Sequence, residues 1–267
     1  MINKISTLLR KKNVISALFI LFFLFSAVTP TEITKYQVKT IVIDAGHGGK
    51  DPGCSGKTNK ESKVALAIAL ELGRILKANL KDVKVIYTRS SDVFVELHER
   101  AAIANRNGAD LFVSIHCNAS TTASVNGTET FAMGLHKTQN NLDIAKRENS
   151  VIVKETNYKA KYEGFDPNSA EDHIMISQFQ NAHVSNSLLL ASKIETQFKD
   201  KLSRKSNGVK QAGFLVLWKT AMPSVLIETG FLTNLYDEKY LGTKENQVLI
   251  ASGIYRAIKE YKTELEK

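Results

Sequence analysis

Short β-branched runs alternate with amphipathic helical stretches along most of this chain, and that rhythm constrains its fold more than any other feature. Residues 39–44 (KTIVID) read as a buried strand. A helix is expected over 61–80, with Val64, Ile68, Leu72 and Ile75 on one stripe. Residues 83–88 (VKVIYT) form a second strand, 95–107 a second helix ended by Gly108, 109–116 a third strand and 128–133 a fourth. Further along, 187–202 read as a helix, 214–218 and 224–228 as strands, and 243–261 as a closing helix. Strands alternating with helices predict an α/β fold: a single domain with a largely parallel central sheet flanked by helices. With 43% hydrophobic residues the chain can fill such a core, and its 2 cysteines exclude a disulfide-stapled scaffold.

Two segments break the rhythm. Residues 136–186 are polar, rich in Asn, Lys and Glu, with short helical patches; they read as a helical insertion into the domain. Residues 1–30 carry Lys4, Arg10, Lys11 and Lys12, no acid, and an apolar run over 14–28. That run falls short of the roughly 20 residues of a spanning helix and suits a signal-peptide core. Residues 1–30 are therefore expected to be a signal peptide or an uncleaved N-terminal anchor, the only part to touch a membrane. Residues 31–267 are then exported, to the periplasm or cell envelope. Much of the net charge of +9 sits in this leader, and no zinc finger, RNA-binding signature or dense arginine stripe argues for nucleic acid.

The chemistry gathers at expected strand ends. His47 follows the first strand within a glycine-rich turn, and His116 ends the third. Carboxyl ends of parallel strands line the usual ligand crevice of such sheets. Either histidine alone is as compatible with a structural role; two at strand ends favour a site. Glu61 continues the buried stripe of its helix to the N-terminus, where a carboxylate is costly to bury unless it is paired, capped or bound to metal. Two histidines and a carboxylate are a common catalytic zinc set. Glu228 closes the run Ser224-Val225-Leu226-Ile227 at the same edge, where it would either stabilise the following loop or act as a general base. Cys117, next to His116, should point to the opposite face as a small buried hydrophobe.

Taken in order, DAGHGGKDPG at 44–53, Glu61 at a helix start, TR at 88–89, VFVELHERAAIAN at 93–105, SIHCNA at 114–119 and MPSVLIETGFLTN at 222–234 resemble the zinc-dependent N-acetylmuramoyl-L-alanine amidases of the LytC/AmiC type, amidase family 3. The resemblance spans roughly 38–262. It implies Zn2+ held by His47, Glu61 and His116, with Glu228 on the family's catalytic glutamate. It also implies hydrolysis of the amide between N-acetylmuramic acid and L-alanine in peptidoglycan, for wall remodelling or daughter-cell separation. A carboxypeptidase acting on the stem peptide is the nearest rival reading, and a non-catalytic wall-binding protein a second. Some family members carry an occluding helical segment where 136–186 stands, displaced by an activator protein. By that likeness Glu148, on an expected helix over 142–149, is a candidate inhibitory ligand, with Asp172 and His173 as alternatives. Glu129 is a candidate for orienting a ligand histidine from behind. Arg89 and Arg100 are expected to form structural salt bridges, and His98, His136 and His183 fit no ligand spacing.

Overall fold

The computed structural model describes residues 36–178 and 182–267, of which 37–267 form one compact unit. The expected leader, 1–30, lies outside the described residues. No helix among the described residues is long and apolar enough to cross a membrane.

Six strands form one sheet: β1 (Thr40–Ala45), β2 (Lys84–Tyr87), β3 (Leu111–Asn118), β4 (Thr128–Met133), β5 (Ser206–Ala212) and β6 (Ser224–Phe231). Their order is β2-β1-β3-β6-β4-β5. β2, β1, β3 and β6 run parallel; β4 meets β6 antiparallel, and β5 pairs parallel with β4. The expected largely parallel α/β sheet is what forms.

The two-residue period of the strands builds two cores. Ile41, Ile43, Leu111, Val113, Ile115, Val225 and Ile227 face one side. There they meet α1 (Glu61–Asn79), α6 (Val184–Thr196) and α9 (Lys244–Leu265) through Val64, Ile68, Leu72, Leu190, Ile194 and Ile254. Cys117 belongs to this core, on the face opposite the His116 side chain, as its position predicted. Val42, Phe112, Phe131 and Leu226 face the other side, against α2 (Leu97–Arg106) and α7 (Leu215–Trp218).

The insertion completes that second core. It comprises α3 (Gln139–Asn149), a 3-10 turn (Ser150–Lys154), α4 (Tyr158–Lys161) and α5 (Ala170–Ser177). Ile144, Val151, Ile152, Tyr162, Phe165 and Ile176 are buried in the same cluster as Phe131 and Phe214. The segment is helical as expected, yet it is a structural layer of the domain as well as a cover.

One expected strand is corrected, and one strand was not expected. Residues 214–218 are not a strand: Leu215–Trp218 is a single helical turn packed on the second core, and a short apolar run does not distinguish the two. The strand in that region is β5, whose sequence SNGVKQA has no apolar run because it is a half-exposed edge strand.

Candidate active site

The site lies at the carboxyl ends of β1, β3 and β6. β1 leads into Gly46 and then His47, whose φ of 60° is left-handed. Such a backbone costs a non-glycine residue about 1–3 kcal/mol unless neighbours impose it. Here two buried guanidiniums impose it. Arg100 donates to the carbonyls of Ala45 (2.6 Å) and His47 (2.8 Å), and Arg89 to those of Ala45 (2.8 Å) and Gly46 (2.7 Å). Arg100 also pairs with Asp44 at 2.8 Å, as expected of it. Arg89 differs from expectation, since it hydrogen-bonds to backbone carbonyls, including those of Ser62 and Ser91. Asp44 is fully buried and further held by the Ser114 and Thr88 hydroxyls at 2.6 Å each. Burial opposes its charge, but Arg100 and these hydroxyls hold its carboxyl below the usual range.

Gly46 is required by close approach, because a methyl group there would run into the His116 ring. Across the cleft, Gly53 adopts a φ of 68° and leaves room for the Glu61 carboxylate. Glu61, at the first position of α1, is fully buried, as its place on the stripe predicted. Its Oε2 accepts the Cys54 N–H (2.8 Å) and its Oε1 the Cys117 N–H (3.0 Å). The Cys54 thiol donates to the Cys117 carbonyl at 3.1 Å; both cysteines are free.

The structure brings four of the six candidate site residues to one point. His47 Nε2 lies 3.0 Å from Glu61 Oε1 and 3.0 Å from Glu148 Oε2. His116 Nδ1 lies 3.0 Å from the same Glu61 oxygen and 3.1 Å from the same Glu148 oxygen. All four side chains are buried. His47 Nε2 and Glu148 Oε2 lack a well-directed hydrogen bond. Donors about 2.0–2.2 Å from a tetrahedral ion stand roughly 3.3–3.6 Å apart. Two imidazoles and two carboxylates converge on one centre at nearly that spacing, with His47 Nε2 and Glu148 Oε2 left without a hydrogen bond of their own, and so fit a zinc-type ion.

Without such an ion the cluster holds its charge by mutual pairing. Burial opposes the imidazolium form of His116, but Glu148 and Glu61 outweigh it and raise its pKa to about 9. His47 moves the same way, burial opposing, with Glu61 and then Glu148 as the cause. Burial likewise works against ionised Glu148, yet Arg147 and His47 hold it well below the usual carboxylate range. Glu228 is the exception. Burial, reinforced by the nearby Glu148 charge, pushes its carboxyl well above that range. It sits beside His116 in register across β3 and β6, and Arg147 reaches it at 3.5 Å.

Glu148 and Arg147 both come from α3, so the insertion covers the site. Arg147 also donates to Asn118 Oδ1 at 3.0 Å and to the Ala119 carbonyl at 3.2 Å. The other candidates lie elsewhere. Asp172 accepts the Asp166 N–H and His173 Nδ1 faces the Ser169 carbonyl, both within the insertion. Glu129 stands opposite Glu228 in the β4–β6 register and binds Lys210 (2.7 Å) and Asn118 (3.3 Å), a role different from orienting a histidine. His98, set aside on spacing, does meet Glu96 and Glu155, but Lys161 occupies Glu96, and the Leu97 N–H and Tyr162 hydroxyl occupy Glu155. Asp51, which the sequence did not single out, accepts or shares the proton of His47 Nδ1 at 2.7 Å. A carboxylate four residues after a ligand-type histidine was the available signal.

Fold and site together define an α/β domain with a candidate metal centre at the carboxyl ends of its parallel strands. Residues 41–260 match the family described as N-acetylmuramoyl-L-alanine amidase. The chain belongs to that family and is a peptidoglycan amidase. It is 34% identical over 226 residues to the N-acetylmuramoyl-L-alanine amidase AmiA of Escherichia coli, covering 84% of this chain and 76% of that protein. The catalytic domain of CwlV, an N-acetylmuramoyl-L-alanine amidase from Paenibacillus polymyxa, superposes with a TM-score of 0.61 at 32% identity, over 84% of this chain and 97% of that one. The CwlD amidase of Clostridioides difficile, solved in complex with the GerS lipoprotein, gives 0.60 at 27% identity, over 85% of this chain and 99% of that one.

Proposed function

We propose that the chain is a zinc-dependent amidase, held shut by its own insertion, that cleaves the bond between the lactyl group of N-acetylmuramic acid and L-alanine. His47, Glu61 and His116 would hold the ion. When bound, zinc supplies a Lewis acid that polarises the scissile carbonyl and favours deprotonation of water. With α3 lifted and the Glu148 charge withdrawn, Glu228 would ionise more readily, and as the carboxylate it takes the proton of the attacking water and passes it to the departing alanine nitrogen. The C–N bond breaks, leaving a carboxylate on the lactyl group and a free amine on the stem peptide. Convergence of four buried ligand-type atoms beside Glu228 is the observation that carries this reading.

Glu148 fills the fourth position around the cluster, where substrate or water would otherwise enter. In the same closed arrangement Arg147 engages Glu228 and Asn118. An activator that lifts α3 would clear both obstacles at once. The amidase solved with a lipoprotein makes a protein partner a reasonable class for that activator. Because peptidoglycan lies outside the cytoplasmic membrane, and residues 1–30 read as an export leader, we place the domain in the periplasm or cell envelope, remodelling the wall or separating daughter cells.

The test is digestion of purified peptidoglycan by residues 31–267 with mass spectrometry of the soluble products. Intact stem peptides with a free L-alanine amine, lost on chelation and reduced about 10²–10⁴-fold in Glu228→Ala, are expected. Trimmed stem peptides would instead assign a carboxypeptidase.

A further inference from the structure

The Asp51 carboxylate is buried, and its two oxygens serve two masters. Oδ2 lies 2.7 Å from His47 Nδ1, and Oδ1 lies 2.7 Å from the Nζ of Lys154, in the insertion. The backbone fixes the carboxylate: the Gly48 N–H donates to the Asp51 carbonyl (2.7 Å) and the Asp51 N–H to the Gly48 carbonyl (3.0 Å), closing the turn. His47 needs such a partner. Arg100 holds its carbonyl, but nothing in that contact stops the ring from rotating. Its Nε2 faces Glu61 and Glu148, so its Nδ1 must carry the proton if Nε2 is to offer a lone pair to an ion. His116 presents Nδ1 to the cluster instead, so the two rings cannot share one orienting device.

We propose that Asp51 is the positioning residue of the His47 ligand: it accepts the Nδ1 proton, fixes the tautomer and ring orientation, and lends His47 part of its negative charge. Lys154 draws on the same carboxylate, so the insertion grips the site on both sides, through Glu148 at the ligand atoms and Lys154 behind His47. This rests on the zinc reading of the cluster. Carboxylates behind a metal-binding histidine raise its basicity, and their loss typically weakens the metal about 10–100-fold.

The test measures zinc binding by competition with a chromophoric chelator, and the His47 Nδ1 proton by NMR of the ¹⁵N-labelled protein. Asp51→Ala should bind zinc about 10–100-fold more weakly than the parent and lose the Nδ1 proton signal. Asp51→Asn, which keeps an acceptor, should retain the signal and recover part of the affinity; it also serves if the alanine variant fails to fold. Affinity within about threefold of the parent in both variants, or a parent ring protonated on Nε2 alone, overturns the assignment. If the parent binds no zinc, the zinc reading fails, and the role of Asp51 is then decided by whether the His47 Nδ1 proton exchanges slowly in the parent and in Asp51→Asn but rapidly in Asp51→Ala. Lys154→Met should tighten zinc about two- to fivefold in the parent and leave Asp51→Asn unchanged. An equal effect in both backgrounds overturns the sharing of the carboxylate.

Discussion

Arg100 shows how much of the site is decided by side chains that touch no substrate. Its guanidinium pairs with Asp44 and ties down the carbonyls on either side of the turn that presents His47. Removing one member of a buried ion pair leaves the other charged and unpartnered, at about 3–5 kcal/mol. Arg100→Met should therefore destabilise the domain by about that much in urea titration, with the left-handed His47 released as well. A loss below about 1 kcal/mol would mean that Asp44 finds other partners and that Arg89 alone holds the turn. Glu148 is the opposite case, a residue whose removal should help. Glu148→Ala takes away the carboxylate proposed to occupy the open position, and basal release of stem peptides should rise by about tenfold or more, equivalent to ~1.4 kcal/mol of closure. A folded variant no faster than the parent would count against occlusion by this residue. Both roles were partly legible in the sequence. Histidines at strand ends and a glutamate on a buried stripe announce themselves by pattern. Asp51 did not, because Asp-Pro-Gly reads first as turn chemistry, and only the fold shows its carboxylate beneath His47.

At the scale of elements, the sequence was most informative where apolar residues follow a clean period. β1, β3, β6, α1 and α9 all stand where the alternation put them. β5 carries no such period because one side of it faces solvent, and Leu215–Trp218 was too short to identify. The insertion hid its structural part in a polar composition. Only a few apolar side chains, among them Ile152 at 0% exposure, enter the second core, and they are scattered over short helices. Ile152→Ala should thus cost about 2–5 kcal/mol of global stability, as a core truncation does. A removable lid would lose less than about 1 kcal/mol, so urea titration separates the two. For the same reason, deleting 136–186 should yield an unstable protein and not a simply activated one. A second element-scale device joins α8 (Leu235–Leu241) to the loop before α1. Glu238 Oε1 accepts the N–H groups of Thr58 (2.7 Å) and Asn59 (3.0 Å) and the Thr58 hydroxyl. Burial opposes its charge, but these donors bring its pKa down to about 2. A folded-state value below the ordinary 4.5 stabilises the fold above pH 4.5, and the contribution is lost as pH falls towards 2. The urea midpoint of the parent should drop more steeply across that window than that of Glu238→Gln. Parallel profiles would show that the loop contact is energetically idle.

For the molecule as a whole, the cluster is mounted on a scaffold that does not depend on it. Its candidate ligands come from the end of β1, the start of α1 and the end of β3, and each of these is closed into a core by apolar residues. Zinc binding should add to stability by mass action without creating the fold, unlike a zinc finger. At a free zinc concentration 100 times its Kd the addition is about 2.7 kcal/mol. At roughly 2–4 °C per kcal/mol for a domain of this size, a chelator should lower the thermal midpoint by about 5–10 °C. Far-UV circular dichroism at 25 °C should be unchanged. His116→Ala should lack the chelator-sensitive increment altogether. Collapse of the spectrum on chelation would instead make the ion part of the fold. The rate of the effect carries further information, because the insertion buries the ligand atoms. With α3 seated, chelator can reach them only when the segment lifts, so the loss should be slow in the parent and faster in Glu148→Ala. If the two rates coincide, the barrier to the site is not α3, and closure by the insertion would have to be sought in Lys154 and the turn behind His47.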